Sequence, residues 1–216
     1  MASPLLALAL CISMKDVRSS SLTRGCFDDH IVQVDLSAHG KLMGGMILDW
    51  DRNSVTEINH AKKRYKTGQN ADLLAALKKS DLTAFKAETE RATQAKAKLA
   101  GITAVPDGGG NCYRFEGTSE ESPRICIDKS PRDTVEAVLR LVAATRENEK
   151  KNFPLRILGL PVLDVNLPVY LADGFIKAGY LPVSVESKDQ ALSFSYEINP
   201  PRPPGFGSPP GNYRKE

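Results

Sequence analysis

Apolar and polar positions alternate most clearly in two stretches. Over residues 31–36, Val32, Val34 and Leu36 fall on one face of an extended chain, and residues 42–50 form a second apolar run. Together they predict a β-hairpin turning through Ala38-His39-Gly40. Gly44 and Gly45 inside the second run predict a bulge or a close backbone approach. Residues 181–186 and 190–198 predict a closing hairpin, with Ser187-Lys188-Asp189 as its turn and Leu192, Phe194 and Tyr196 on one face.

Elsewhere the period changes. Ser54-Val55-Thr56-Glu57 has the form of a capping box, and Val55, Ile58, Ala61 and Tyr65 follow at helical spacing as far as Gly68, which predicts a helix. A short helix is predicted over 70–79 and a long one, capped by Ser80, over 80–100. In the stripe Leu82, Phe85, Thr89, Ala92, Lys96, Leu99, only Leu82, Phe85 and Leu99 are large and apolar, so this helix is expected to pack shallowly or protrude. The clearest helix opens at Ser130-Pro131, with Asp133 in its first turn and the stripe Val135, Val138, Leu139, Val142. Residues 155–163, broken by Gly159 and Pro161, predict an irregular edge strand. Asn166 caps a further short helix stopped by Gly179.

These elements predict an α+β fold: an antiparallel sheet of hairpins packed against one or more amphipathic helices, with a helical subdomain at 54–100. Four segments are expected. Residues 1–30 form an N-terminal targeting stretch or loop, and 31–105 the first hairpin and helical subdomain. Residues 106–198 form an α+β core entered through the Pro106–Asn111 break, and 199–216 a tail. Six of the tail's 18 residues are Pro, which predicts an extended or disordered segment with polyproline II character.

Composition narrows the class only modestly. With 41% hydrophobic and 25% charged residues and a net charge of +3, the chain is ordinary for a globular protein, and no global charge argument arises. Charge is uneven, however. Residues 58–100 carry ten Lys or Arg against four Asp or Glu. The cluster Lys62, Lys63, Arg64 and Lys66 is therefore a candidate contact surface for an acidic partner or nucleic acid. The apolar run at 4–14 is too short to span a bilayer and has no preceding cation, as a signal segment would.

The four cysteines admit several complete pairings. Cys112 and Cys126 occupy matching points of an expected hairpin, so the local solution is Cys112 with Cys126 and Cys11 with Cys26. Pairing favours an oxidising compartment, secreted or periplasmic. Free buried thiols, in a cytoplasmic protein, are the alternative. No Cys-x-x-Cys or His-Glu-x-x-His occurs, and a single Glu57-x-x-His60 is half of a di-metal motif, so no metal or other cofactor is expected.

A catalytic alternative uses Cys112 as nucleophile, His60 as base and Asp49 as orienting carboxylate. His30, His39 and Asp51 are the other residues of those roles in reach of such a scheme. The leading expectation is a non-catalytic, exported interaction protein working through protein contacts, as an inhibitor, accessory factor or effector. The alternatives are a cysteine-dependent hydrolase or transferase and nucleic-acid binding through Lys62–Lys66.

Overall fold

The computed structural model describes residues 10–69, 103–116, 124–150, 176, 178–186, 188 and 191–216. Twelve strands form one sheet: β1 Leu10–Asp16, β2 Ser21–Phe27, β3 Ile31–Ala38, β4 Lys41–Asp49, β5 Ser54–Asn59, β6 Arg64–Gln69, β7 Thr103–Pro106, β8 Cys112–Glu116, β9 Arg124–Lys129, β10 Tyr180–Glu186, β11 Ala191–Ile198 and β12 Arg214–Lys215. The one helix among the described residues, α1, spans Arg132–Lys150. The sheet order is β12-β6-β5-β4-β3-β2-β1-β11-β10-β9-β8-β7. Strands β1 to β6 are a meander of adjacent hairpins, and the pairing of β1 with β11 joins them to the second half. Every pairing is antiparallel except β12 on β6.

One face of this sheet carries the core. Leu10, Ile12 and Met14 of β1, Val32 and Val34 of β3, Leu192 and Phe194 of β11, and Ile125 and Ile127 of β9 all turn inward. Helix α1 packs over β11 and β1 through Val135, Ala137, Val138 and Leu141. This is the apolar stripe of an amphipathic helix, and each Val or Leu side chain so buried contributes about 1.5–3 kcal/mol. Asp133 lies in its first turn, where a carboxylate complements the helix dipole.

The opposite face is also covered. Residue register places Cys11, Cys26, Gln33, Ile47, Thr56 and Thr67 in one row across β1 to β6, and Arg24, Asp35, Gly45, Ile58 and Tyr65 in the next. After β11 the chain crosses this face. Phe206 is buried against Cys11 and Cys26 beside Ile31, and Arg214–Lys215 then joins the sheet edge at β6. Ile47 and Ile58, on the same outer face, are buried too.

Several expectations are corrected here. The α+β class with a helical subdomain does not hold: the molecule is a single large sheet with one helix among the described residues. Residues 54–69 form the hairpin β5–β6, not a capped helix. Ser54 opens β5 opposite Asp49 and Gln69, and Glu57 is exposed opposite Met46 and Lys66. The physical reason is two-sided burial. Val55 faces the core and Ile58 faces the outer covering, so a strand buried on both faces shows an i, i+3 spacing that imitates a helix. Its β-branched residues suit the extended chain.

The N-terminal segment 1–30 is not a loop over its described part. It supplies β1 and β2, with Leu10 to Met14 in the middle of the sheet. The tail is anchored rather than disordered, because Phe206 and Tyr213 give it side chains to bury or bond. The Asp107–Asn111 run is the turn joining β7 to β8 within the sheet, with Gly108, Gly109 and Gly110 at positive φ. The expected helices at 70–100, the strand at 155–163 and the body of the helix begun at Asn166 lie outside the described residues.

Candidate interaction surface

Both local cysteine pairings are formed. Cys112 stands directly opposite Cys126 across β8 and β9, bonded at 2.09 Å, and Cys11 opposite Cys26 across β1 and β2, at 2.01 Å. Directly opposed antiparallel residues bring their Cβ atoms close enough for such a bond. The Cys112 sulfur is therefore held in a disulfide and carries no thiolate.

The structure does not bring Cys112, His60 and Asp49 together. His60 lies in the β5–β6 turn, whereas β8 is separated from β5 by β4, β3, β2, β1, β11, β10 and β9 in the sheet order. Asp49 accepts the Arg52 N–H at 2.9 Å and holds the turn after β4. His30 pairs with Asp51 at 2.8 Å, and His39 sits at positive φ in the β3–β4 turn. Among the described residues no cluster of three or more His, Cys, Asp or Glu side chains is placed to hold a metal ion.

His60 instead belongs to a polar chain that ties the C-terminal segment down. The Gly207 N–H donates to Gln33 Oε1 at 3.0 Å, and Gln33 Nε2 donates to Asp35 Oδ2 at 3.2 Å. Asp35 Oδ1 lies 3.6 Å from His60 Nε2, and His60 Nδ1 lies 2.9 Å from the Tyr213 hydroxyl. Gly45 makes room for this convergence: a Cβ there would stand 2.8 Å from Asp35 Oδ1 and 3.0 Å from Val34 O. Upstream, Arg202 bonds Asp28 Oδ2 at 2.7 Å and lies over the Phe206 ring at 4.8 Å, a cation–π contact.

The basic cluster lies on a turn and an edge strand. The Lys62 N–H donates to Asn59 Oδ1 at 2.9 Å, and Lys63 adopts positive φ. Arg64 and Lys66 follow on β6. Beyond β6, β12 is the one strand among the described residues that pairs: Arg214 N–H donates to Lys63 O at 3.1 Å and Glu216 N–H to Tyr65 O at 2.9 Å. Glu216 also meets Arg64 at 3.2 Å. Residues 66–69 of β6 extend past this short cover with no further strand among the described residues. The result is a backbone edge flanked by cations.

A cleft of about 490 Å³ lies between the start of β3 and α1, lined by Asp28, Asp29, His30, Glu136, Arg140 and Arg202 among others. Its charges are largely compensated from within: Asp28 takes Arg202 and the N–H groups of His30 and Ile31, and Asp29 pairs with Arg140. The phenol of Tyr196, elsewhere in the core, donates to Pro182 O, and burial pushes its pKa above the ordinary range.

The sequence pointed to Cys112–Cys126 through hairpin positions, and to Cys11–Cys26 only as the remaining local pair, without the β1–β2 hairpin that holds it. It did not point to Phe206 and Tyr213 as anchors. Their only signal is that they are the two aromatic residues in a Pro- and Gly-rich stretch. No family model matches the chain, and no curated protein matches it.

Proposed function

We propose that this chain is a non-catalytic interaction protein of an oxidising compartment, secreted or periplasmic, that acts through protein contacts as an inhibitor, accessory factor or effector. The observation that carries this reading is the edge of β6. A strand edge with open backbone groups is a template for a further strand. Here Arg64 and Lys66 flank it, and the chain's own Glu216 already supplies one carboxylate to Arg64. A partner segment that is extended and acidic matches both the backbone and the charge. The two disulfides support the compartment, since such bonds persist outside reducing cytosol.

The test is site-specific photo-crosslinking in the native host from position 66 on β6 and, as control, from position 129 on β9. A discrete protein adduct from position 66 alone supports the reading. Adducts common to both positions, or none, overturn it. Alkylation mapping of protein from its native source checks the compartment, and four free thiols there would overturn that part.

A further inference from the structure

Among the described residues, large apolar side chains left in solvent are not scattered. They are Val17 at 62% exposed, Leu42 at 53%, Met43 at 46%, Leu36 at 43% and Leu22 at 38%. All five lie at one end of the sheet. Val17 is in the β1–β2 turn. Leu22 is opposite Ser37, which is opposite Leu42, so Leu22 and Leu42 project from the same face two strands apart. Met43 is the extra residue where the β3–β4 register shifts between Leu36 and Ser37. Leu36 continues the core-facing row of Val32 and Val34 past the end of the core. Grouped exposure of this kind marks a contact surface, whereas single exposed apolar residues do not.

Cations ring this end. Lys41 begins β4 beside the turn. The β5–β6 turn with Lys62 and Lys63 abuts Met43, whose carbonyl accepts the His60 N–H at 3.2 Å. Lys41, Lys62 and Lys63 are exposed and make no ion pair among the described residues. Arg18 lies in the β1–β2 turn, bonded to Lys188 O and paired with Glu186, and Asp16 opens the same turn, so the excess of positive charge at this end rests on Lys41, Lys62 and Lys63.

We infer that this end of the sheet docks on an anionic lipid surface, with the β1–β2 and β3–β4 tips entering the interface and the surrounding lysines meeting the headgroups. The choice of a bilayer follows from geometry and charge. The apolar side chains come from both faces of the sheet and from a turn, so they wrap its end. A protein partner would need a socket fitted to both faces at once, whereas a fluid bilayer admits an apolar tip end-on. Lysines rising beside such a tip keep their charge at the headgroup level, and each contributes attraction to anionic lipid that salt screens. No helix among the described residues is long and apolar enough to cross a membrane, and the docking inferred is peripheral. It concerns side chains at the sheet end and is independent of strand addition at the β6 edge.

The experiment is co-sedimentation of the full chain with vesicles of phosphatidylcholine alone or of phosphatidylcholine mixed with phosphatidylglycerol. Binding to the mixed vesicles that weakens with salt is expected. Leu42→Ser with Met43→Ser should weaken it about tenfold, the loss of one well-buried apolar contact or more. Val17→Ser, on the neighbouring tip, is a second and separate variant. Joint replacement of Lys41, Lys62 and Lys63 by Glu should remove the preference for anionic vesicles. Unchanged thermal midpoints show that these variants are folded. Absence of binding, equal binding to neutral vesicles, or binding indifferent to the tip variants would overturn the inference. So would vesicle-free self-association abolished by the same variants, which would make the tips a contact between copies. Photo-crosslinking from position 66 reports on the β6 edge separately, so either reading can fail alone.

Discussion

The ring nitrogen Nδ1 of His60 and the hydroxyl of Tyr213 lie 2.9 Å apart, joining the β5–β6 turn to a segment 153 residues later. With the imidazole proton assigned to Nε2, that nitrogen faces Asp35 and Nδ1 accepts from the tyrosine. Tyr213→Phe keeps the ring and removes the donor. Expected is a loss of about 1 kcal/mol in urea unfolding, with faster amide exchange at Arg214 and Glu216, whose N–H groups bond Lys63 O and Tyr65 O. The Gly207 amide, held separately by Gln33, should be unaffected. Uniform acceleration across both would show that the segment is held as one unit.

The two disulfides should differ in accessibility. Cys11 and Cys26 are buried beneath Phe206, while Cys112 and Cys126 are half-buried. Limited phosphine reduction without denaturant, followed by alkylation, is expected to label Cys112 and Cys126 first. The loops they close span 15 and 14 residues, so replacing either pair by Ser should cost about 3 kcal/mol on loop entropy. Loss of Phe206 packing should add to the cost at Cys11 and Cys26. The reverse order of labelling would contradict the burial of the first pair.

Neighbouring glycines of β4 make a sharp comparison. At Gly45 an added Cβ meets Asp35 Oδ1 at 2.8 Å and the Val34 carbonyl at 3.0 Å, whereas at Gly44 its nearest neighbour is Ile58 O at 3.5 Å, an ordinary contact. Gly45→Ala is expected to destabilise by about 1–3 kcal/mol. Gly44→Ala should stay within about 0.5 kcal/mol of the parent. Chemical unfolding of the two variants side by side checks this.

The carboxyl of Asp16 is held below its ordinary value of 3.8, first by the Ser19 hydroxyl and then by the Arg18 N–H. A depressed folded-state value means that the carboxylate stabilises the β1–β2 turn above the unfolded value, and that this support is lost as pH falls through the folded value. Carbon-detected NMR titration should place Asp16 below 3.8. Ser19→Ala should raise its midpoint. No change on that substitution would assign the shift to the backbone donors alone.

Legibility in the sequence depended on whether the apolar positions of an element fit one period. Strands β3, β4, β10 and β11 were readable from their apolar runs, and α1 from Pro131, Asp133 and two members of its stripe, Val135 and Val138, although Ala137 and Leu141 complete its buried face and Leu139 is only partly buried. Strand β2 escaped notice because its core-side positions include Thr23 and Gly25, which give no apolar alternation. Strand β5 was misread because Val55 and Ile58 are buried on opposite faces. The tail was misassigned on its own account: its composition argues for disorder, yet Phe206 packs against Cys11 and Cys26 beside Ile31. The cysteine pairs were legible because their partners are local. Leu42 and Met43 were not legible as surface residues, since an apolar pair in a strand reads as core until the end of the neighbouring strands is known.

Strand β1 pairs on one side with β2, its immediate successor, and on the other with β11, near the opposite end of the chain. This seam makes folding order a matter of synthesis order. As the chain emerges, β1 to β6 can assemble hairpin by hairpin, but the β1 edge stays open until β11 has been made. Among the described strands this pairing spans the longest stretch of chain, so its closure is expected late in folding, and an open strand edge invites pairing between nascent chains. The interval between completing β6 and delivering β11 is therefore when this protein most needs protection from its own copies.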